Sequence, residues 1–506
     1  MVCDPVALRI AACGCSRMGW VVGMQFRCRG WWVGGLAAGV AVLAAWPLSP
    51  QSAHGETLEA ALVEAYINNP SLNSQRAAVR ATDENVPQAL SGYRPRVTIN
   101  GTGGQQSLSS TNRVVSPNLP ANVPPNSPAT YATQSGFNTP ANIGATITQT
   151  LFNGFQTANK TRQAESQVLA ARATLRLTEQ TVLLNAATAY MNLLRDTAIL
   201  DLQRRNVEVL QEQLRQTRDR FNVGEVTRTD VAQSESRLAA GRSQVLAAEA
   251  VYKASTATYR QVIGVNPTKL SAGTPVDRFS PQNLPGAVGL ATLTHPAVTT
   301  AQYNVDVAQQ AVKVAEASLY PTVSVTGNYT KNFEVVGSLN TITSSQATIL
   351  GTLSVPVYQG GAEYSLVRQT KETLGQKRLD FDVARDQVRQ NTVQSWGQLE
   401  ASKATVDSTQ AQVQAAEIAL NGVREEARVG QRTTLDVLNA QQELVNARVA
   451  LVGAQRDRVV ASYTLLAAVG HLSPEVLGLR VPVYQPQIHY QQVRDNWVGL
   501  RNPDGR

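Results

Sequence analysis

Along this chain the spacing of apolar residues switches between two periods. Leu58 to Asn68 reads as a short amphipathic helix stopped by Asn69-Pro70, and Ser71 to about Gly92 as a second helix bent at Pro87. At Arg96-Val97-Thr98-Ile99-Asn100-Gly101 polar and apolar residues alternate, the period of a strand with two unlike faces. From about Gly103 to Asn138, with Pro117, Pro120, Pro124, Pro125 and Pro128 among Ser, Asn and Thr, the composition predicts a loop that cannot pack a core. Alternation resumes at Ile143, with Ala145, Ile147 and Leu151 on the same face and Gly144 and the threonines on the other. The resulting hairpin, 94–152, has strands of the ~9–11 tilted residues that a membrane barrel requires.

The next run, Gln156 to Asn222, contains neither Gly nor Pro and would measure about 100 Å as one helix. Within it Leu193, Leu200, Val207, Leu214 and Phe221 fall seven apart, and Val231, Leu238, Val245, Tyr252 and Tyr259 do the same beyond it. Strict sevens predict a left-handed coiled coil. Between the runs lies Phe221-Asn222-Val223-Gly224-Glu225, with Thr227 to Asp230 behind it. Gly224 suits the left-handed end of one helix, and Thr and Asp suit the start of the next, so the segment reads as the tip of a helical hairpin.

The whole plan recurs. Ala427-Arg428-Val429-Gly430-Gln431 answers the first tip at an offset of 206 residues, and that register runs without a gap from Leu151 opposite Val357 to Gly264 opposite Gly470. The second seam comprises Leu399, Val406, Val413, Leu420 and Ala427, then Val437, Leu444, Leu451, Arg458 and Leu465, with Arg458 expected to extend to solvent. His295-Pro296 stands opposite Asn69-Pro70 at an offset of 226; the difference falls in the loop of the first hairpin. The reading is therefore a leader (1–55), a first repeat (56–265, with hairpin 94–152, long helix 156–222 and helix 226–263), a connector (266–292) from which Pro281 and Pro285 exclude helix, a second repeat (293–470, with hairpin 321–358, long helix 362–429 and helix 432–469) and an irregular tail (471–506). In each repeat the two shorter helices are expected to stack end to end along the long one.

Composition narrows the function. Arg27 and Arg29, the apolar run Trp31 to Trp46, Pro47 and the small residues Ser52 and Ala53 have the three parts of a secretory signal peptide, with Met24 an alternative start. All four cysteines, Cys3, Cys13, Cys15 and Cys28, precede Glu56, so the rest of the chain has no thiol for a disulfide, nucleophile or metal site. His54, His295, His471 and His489 are scattered, and neither a nucleotide-binding glycine loop nor a basic tract with aromatics is present. No enzyme, cofactor, metal or nucleic acid is implied. The fold class is an α+β membrane protein with internal duplication. Four strands per chain cannot close a barrel, and open edges cannot sit in lipid, so the chain must assemble; three copies would give twelve strands above a ring of coiled-coil rods. A structural coiled-coil or adhesin-like envelope protein is the alternative, which explains the heptads but not the strand hairpins that interrupt them.

The duplicated plan, with Leu151-Phe152-Asn153-Gly154 and Val357-Tyr358-Gln359-Gly360-Gly361 at the strand-to-helix corners and Val429 to Leu438 at the second tip, resembles the TolC family of outer-membrane channel proteins over about Glu56 to Leu472. The resemblance implies a homotrimer with a 12-stranded barrel in outer-membrane lipid and an α-helical periplasmic tunnel, serving as a passive exit duct for drug efflux or type I secretion. It implies a periplasmic adaptor protein and an inner-membrane pump of RND or ABC type as partners. It places Asp436 in an acidic selectivity ring, Arg432 as a gate link, and Thr229 and Asp230 as partner positions. Val223, Gly224, Val429 and Gly430 become the tips that meet the adaptor. Two positions depart from the family pattern: Ala427 stands for an aromatic gate link and Asn439 for a second ring aspartate. The carboxylates of Asp230 and Asp436 also suit plain helix capping.

Overall fold

The computed structural model describes residues 56–113, 131–336 and 340–503. The leader and the five prolines from Pro117 to Pro128 lie outside these residues. The first repeat opens with α1 (Leu58–Asn68), α2 (Pro70–Asp83) and α3 (Asn85–Leu90). The side chain of Asn69 accepts from the backbone N–H of Ser71 at 2.9 Å and of Leu72 at 3.3 Å, so one residue ends α1 and caps α2. The expected bend at Pro87 is instead a break at Glu84, and Pro87 sits in the first turn of α3, where its missing N–H has no helical partner to lose.

The strands are β1 (Arg96–Gly103), β2 (Gln106–Arg113), β3 (Tyr131–Asn138) and β4 (Ala141–Asn153), then β5 (Thr322–Val336) and β6 (Asn340–Ser354). β1 pairs with β4, β4 with β5 and β5 with β6, all antiparallel. The expectation of an irregular loop over 103–138 is corrected at its two ends, 106–113 and 131–138, while 114–130 lie outside the described residues. β2 and β3 pair throughout, from Gln106 opposite Asn138 to Arg113 opposite Tyr131, and continue the hairpin past a gap bridged by Gly104 N–H to the Pro140 carbonyl at 3.0 Å. The polar composition there reflects the absence of a core, while ladder hydrogen bonds need only a partner strand.

Two long hairpins of helices follow the sheet. They are α4 (Gln156–Asn222) with α5 (Arg228–Ile263), and α8 (Ala362–Arg428) with α9 (Thr434–Val469). Their seams bury Leu193, Leu200, Leu214 and Leu238 in the first and Leu399, Leu420, Val437 and Leu444 in the second, each leucine contributing about 1.5–3 kcal/mol. Arg458 does not reach freely into solvent; its guanidinium lies 3.6 Å from Asp277, which Lys403 also approaches at 3.6 Å. The carbonyl of Val262, near the end of α5, accepts from the side-chain amide of Asn69 at 2.9 Å, so α5 and α2 stack end to end along α4.

In the connector, Pro285 does not exclude helix. It occupies the first turn of α6 (Leu284–Thr294), capped by the Asn283 side chain on Gly286 N–H at 2.8 Å. α6 stands 226 residues after α1, so the second repeat begins here, earlier than residue 293. α7 (Pro296–Glu316) follows and packs on α4 and α8. The tail is not wholly irregular either. It runs back over the first repeat and forms α10 (Pro486–Val493) against α2. Tyr484 N–H donates to the Tyr66 hydroxyl at 3.2 Å, Arg76 lies over both tyrosine rings, and His489 meets buried Asp83 at 3.0 Å. A belt of Leu58, Leu62, Leu183, Tyr190, Tyr259, Tyr463 and Leu466 joins α1, α4, α5 and α9 at mid-height.

Candidate functional site

The sheet has two chemically distinct faces. Rows of directly opposed residues run across the four strands as Val97–Ile147–Gly327–Ile349 and Ile99–Ala145–Tyr329–Ala347, and alternate with Thr98–Thr146–Asn328–Thr348 and Asn100–Gly144–Thr330–Gln346. The apolar rows are not covered: Val97, Ile99, Ile147, Tyr329 and Ile349 are exposed. The polar rows are tied across strands, Thr146 to Asn328 at 3.2 Å and Asn332 to Ser344 at 3.4 Å. Apolar-out and polar-in alternation is what a wall between lipid and a wet lumen needs. Among the described residues no helix is long and apolar enough to cross a membrane.

At each strand-to-helix corner two consecutive residues take the left-handed conformation, Gly154 with Phe155 and Gly360 with Gly361. The Phe152 and Phe155 rings meet edge to face at 5.4 Å across the first corner.

At the far end of the rods the tips are built alike. Gly224 and Gly430 have φ of 81° and 80°, and the N–H of the following residue closes back on the helix, Glu225 to the Arg220 carbonyl and Gln431 to the Glu426 carbonyl, each at 2.9 Å. Thr227 and Thr433 then cap the returning helices. The carboxylates of Asp230 and Asp436 accept from the backbone N–H of Thr227 and Thr433, each at 3.0 Å, in capping boxes. For Asp436 this backbone bond and the Thr433 hydroxyl hold the carboxyl below its ordinary range. Val223 and Val429 protrude, 78 % and 72 % exposed.

A groove of about 910 Å³ separates the two tips. Asp230, Gly430 and Arg432 line it; Val223, Gly224, Thr229, Val429, Asp436 and Asn439 do not. Arg432 donates to Glu426 of its own hairpin at 2.8 Å, which raises its affinity for the proton, and makes no bond to Thr229 or Asp230 within the chain. Thr229 is exposed. Asn439 instead accepts from Arg237 of α5 at 2.7 Å, a tie between the two hairpins that no linear pattern reveals. Ala427 joins the apolar seam around Leu420. Sequence reasoning also missed the charged walls of the groove, where Glu212 is held at about 2 by the Arg215 guanidinium. Their i,i+3 spacing is visible in the sequence, but the hairpin they face is not.

The family model of the outer membrane efflux proteins matches residues 61–265 and 287–471. The chain is 41 % identical over 471 residues to the outer membrane efflux protein BepC of Brucella suis, covering 93 % of this chain and 98 % of that protein. It is 25 % identical over 439 residues to the outer membrane protein TolC of Escherichia coli, covering 83 % and 84 %. The crystal structure of the CmeC outer membrane channel of Campylobacter jejuni superposes with a TM-score of 0.69 at 17 % identity, over 87 % of this chain and 89 % of that one, so the fold is shared.

Proposed function

The chain belongs to the outer membrane efflux protein family, and from that premise we propose that three copies close one twelve-stranded barrel whose lumen continues through the helical rods as a passive export duct. It is an export channel of the outer membrane and not an enzyme. The observation that carries the trimeric reading is the open sheet. β1 and β6 each have one partner strand among the described residues, on a sheet whose apolar face is bare. Unpaired backbone groups in lipid cost several kcal/mol each, so the β6 edge of one copy pairs with the β1 edge of the next. The same closure covers exposed apolar residues of α8, among them Leu379 and Val383.

The duct is part of a tripartite system, with an adaptor protein at the protruding tips Val223, Gly224, Val429 and Gly430 and an inner-membrane pump of RND or ABC type behind it. The efflux activity in the name of the Brucella relative supports small molecules as cargo ahead of secreted proteins. Asp436 of three copies forms an acidic ring, and Arg432, with Thr229 and Asp230, holds the tips of neighbouring hairpins together in the resting state. The shared groove wall of Arg432 and Asp230 supports that link. Light scattering in detergent should give three chains per particle, and planar bilayers should show discrete conductance; a monomer that stays soluble without detergent would sink the reading.

A further inference from the structure

We propose that the end of the tail, residues 494–501 with Tyr93 and Arg94, is a foot that beds into the phospholipid leaflet at the periplasmic face of the outer membrane. The inference rests on the barrel reading above. Three apolar residues at this place are largely uncovered: Trp497, Val498 and Leu500 are 68 %, 93 % and 103 % exposed. Trp497 and the backbone before it are held in place. The Arg94 guanidinium donates to the Asn496 carbonyl at 2.6 Å and lies 4.6 Å from the Trp497 ring, and Arg494 approaches Glu165 of α4 at 3.6 Å.

Their height is fixed by the sheet. β1 starts two residues after Arg94, and the Tyr93 carbonyl accepts from Gln149 of β4 at 3.1 Å, so the foot stands at the helical rim of the barrel. That rim is also where the lipid-facing rows end, with Val97, Leu151, Leu353 and Tyr358 exposed. The apolar patch of the foot thus continues the lipid-facing surface. A strap contributed by each of three copies leaves a duct open only if it runs outside it, which puts the foot on the lipid side.

The chemistry matches a headgroup layer. Trp and Tyr prefer the boundary between acyl chains and water, and arginines beside them favour anionic headgroups. Arg94, Arg96, Arg494 and Arg501 lie in this segment or adjoin it, against Asp495 and Glu165, which leaves an excess of positive charge towards the leaflet.

Trp396 and Trp497 are the only tryptophans beyond residue 46, so Trp396→Phe isolates the reporter in the processed chain. The full trimer would be reconstituted into vesicles of phosphatidylethanolamine and phosphatidylglycerol with bromines high or deep on the acyl chains. The expected result is at least twofold quenching of Trp497 by the shallow bromines and less by the deep ones. Conductance without quenching overturns the foot and leaves the duct standing; absence of both conductance and quenching overturns both. Should Trp396→Phe fail to fold, a nitroxide on Leu500→Cys supplies the second measurement. More access to oxygen than to a nickel chelate supports the foot, and the reverse overturns it.

Discussion

The Nδ1 nitrogen of His295 accepts the backbone N–H of Ala297 at 3.1 Å and so caps α7 while buried beneath the end of α9. Only a neutral ring can accept there. Burial pushes its pKa below the ordinary 6.5, against a smaller opposing effect from the Ala467 backbone.

The unfolded chain therefore binds the proton more readily, and the contribution of His295 is whole above pH 6.5 and declines as pH falls below it. The first repeat carries Asn69 at the equivalent place, with the same capping geometry and no titration. We expect trimer Tm to fall between pH 7.5 and 5.5, and His295→Asn to flatten that part of the curve. Parallel curves for the two proteins would count against the assignment.

The two strand-to-helix corners look interchangeable in sequence and differ in space. A Cβ on Gly154 would sit 2.6 Å from the Tyr320 Cβ and 2.8 Å from the Ala317 carbonyl oxygen, whereas a Cβ on Gly360 meets nothing within 4 Å. Gly360→Ala should cost about 1–2 kcal/mol for the left-handed backbone alone, and Gly154→Ala roughly 3 kcal/mol or more through the added clash. Denaturant melts of the two variants decide it; equal losses would contradict the packing.

At the tips, an acidic ring and a capping box make different demands on Asp436. Asp436→Asn should weaken block of single-channel current by multivalent cations, and because the carboxyl is held below its ordinary range the block of the parent protein should persist into mildly acid solution. Block that survives the substitution would leave capping as the whole role. Arg432→Ala should raise resting conductance several-fold, and an unchanged value would return Arg432 to its Glu426 partner alone.

Unlike the glycines beside them, Val223 and Val429 have negative φ, and their exposed side chains have no buried contact to lose. Val223→Asp with Val429→Asp should therefore spare trimer yield while lowering co-purification of the adaptor at least tenfold. Undiminished co-purification would remove the tips from the docking surface.

Periodicity alone determined the coarse plan: two strand hairpins, heptad rods, glycine tips with Thr and Asp behind them, and the duplication. Those are local properties, written in spacings of two and seven or in the backbone preference of single residues. The same locality made Pro285 look like a breaker and the polar run 106–113 look like loop, because a proline in a first turn and a strand without a core depend on neighbours that the spacing does not name. The tertiary structure decided what long-range contact decides. It ties Asn439 to Arg237, turns Arg432 towards Glu426, places His295 under α9 and winds the tail back so that His489 meets Asp83. The Arg432–Glu426 pair spans six positions across one tip, where the folded turn sets the geometry, whereas the others join residues far apart in the chain that meet only when the rods stack and so leave no periodic trace.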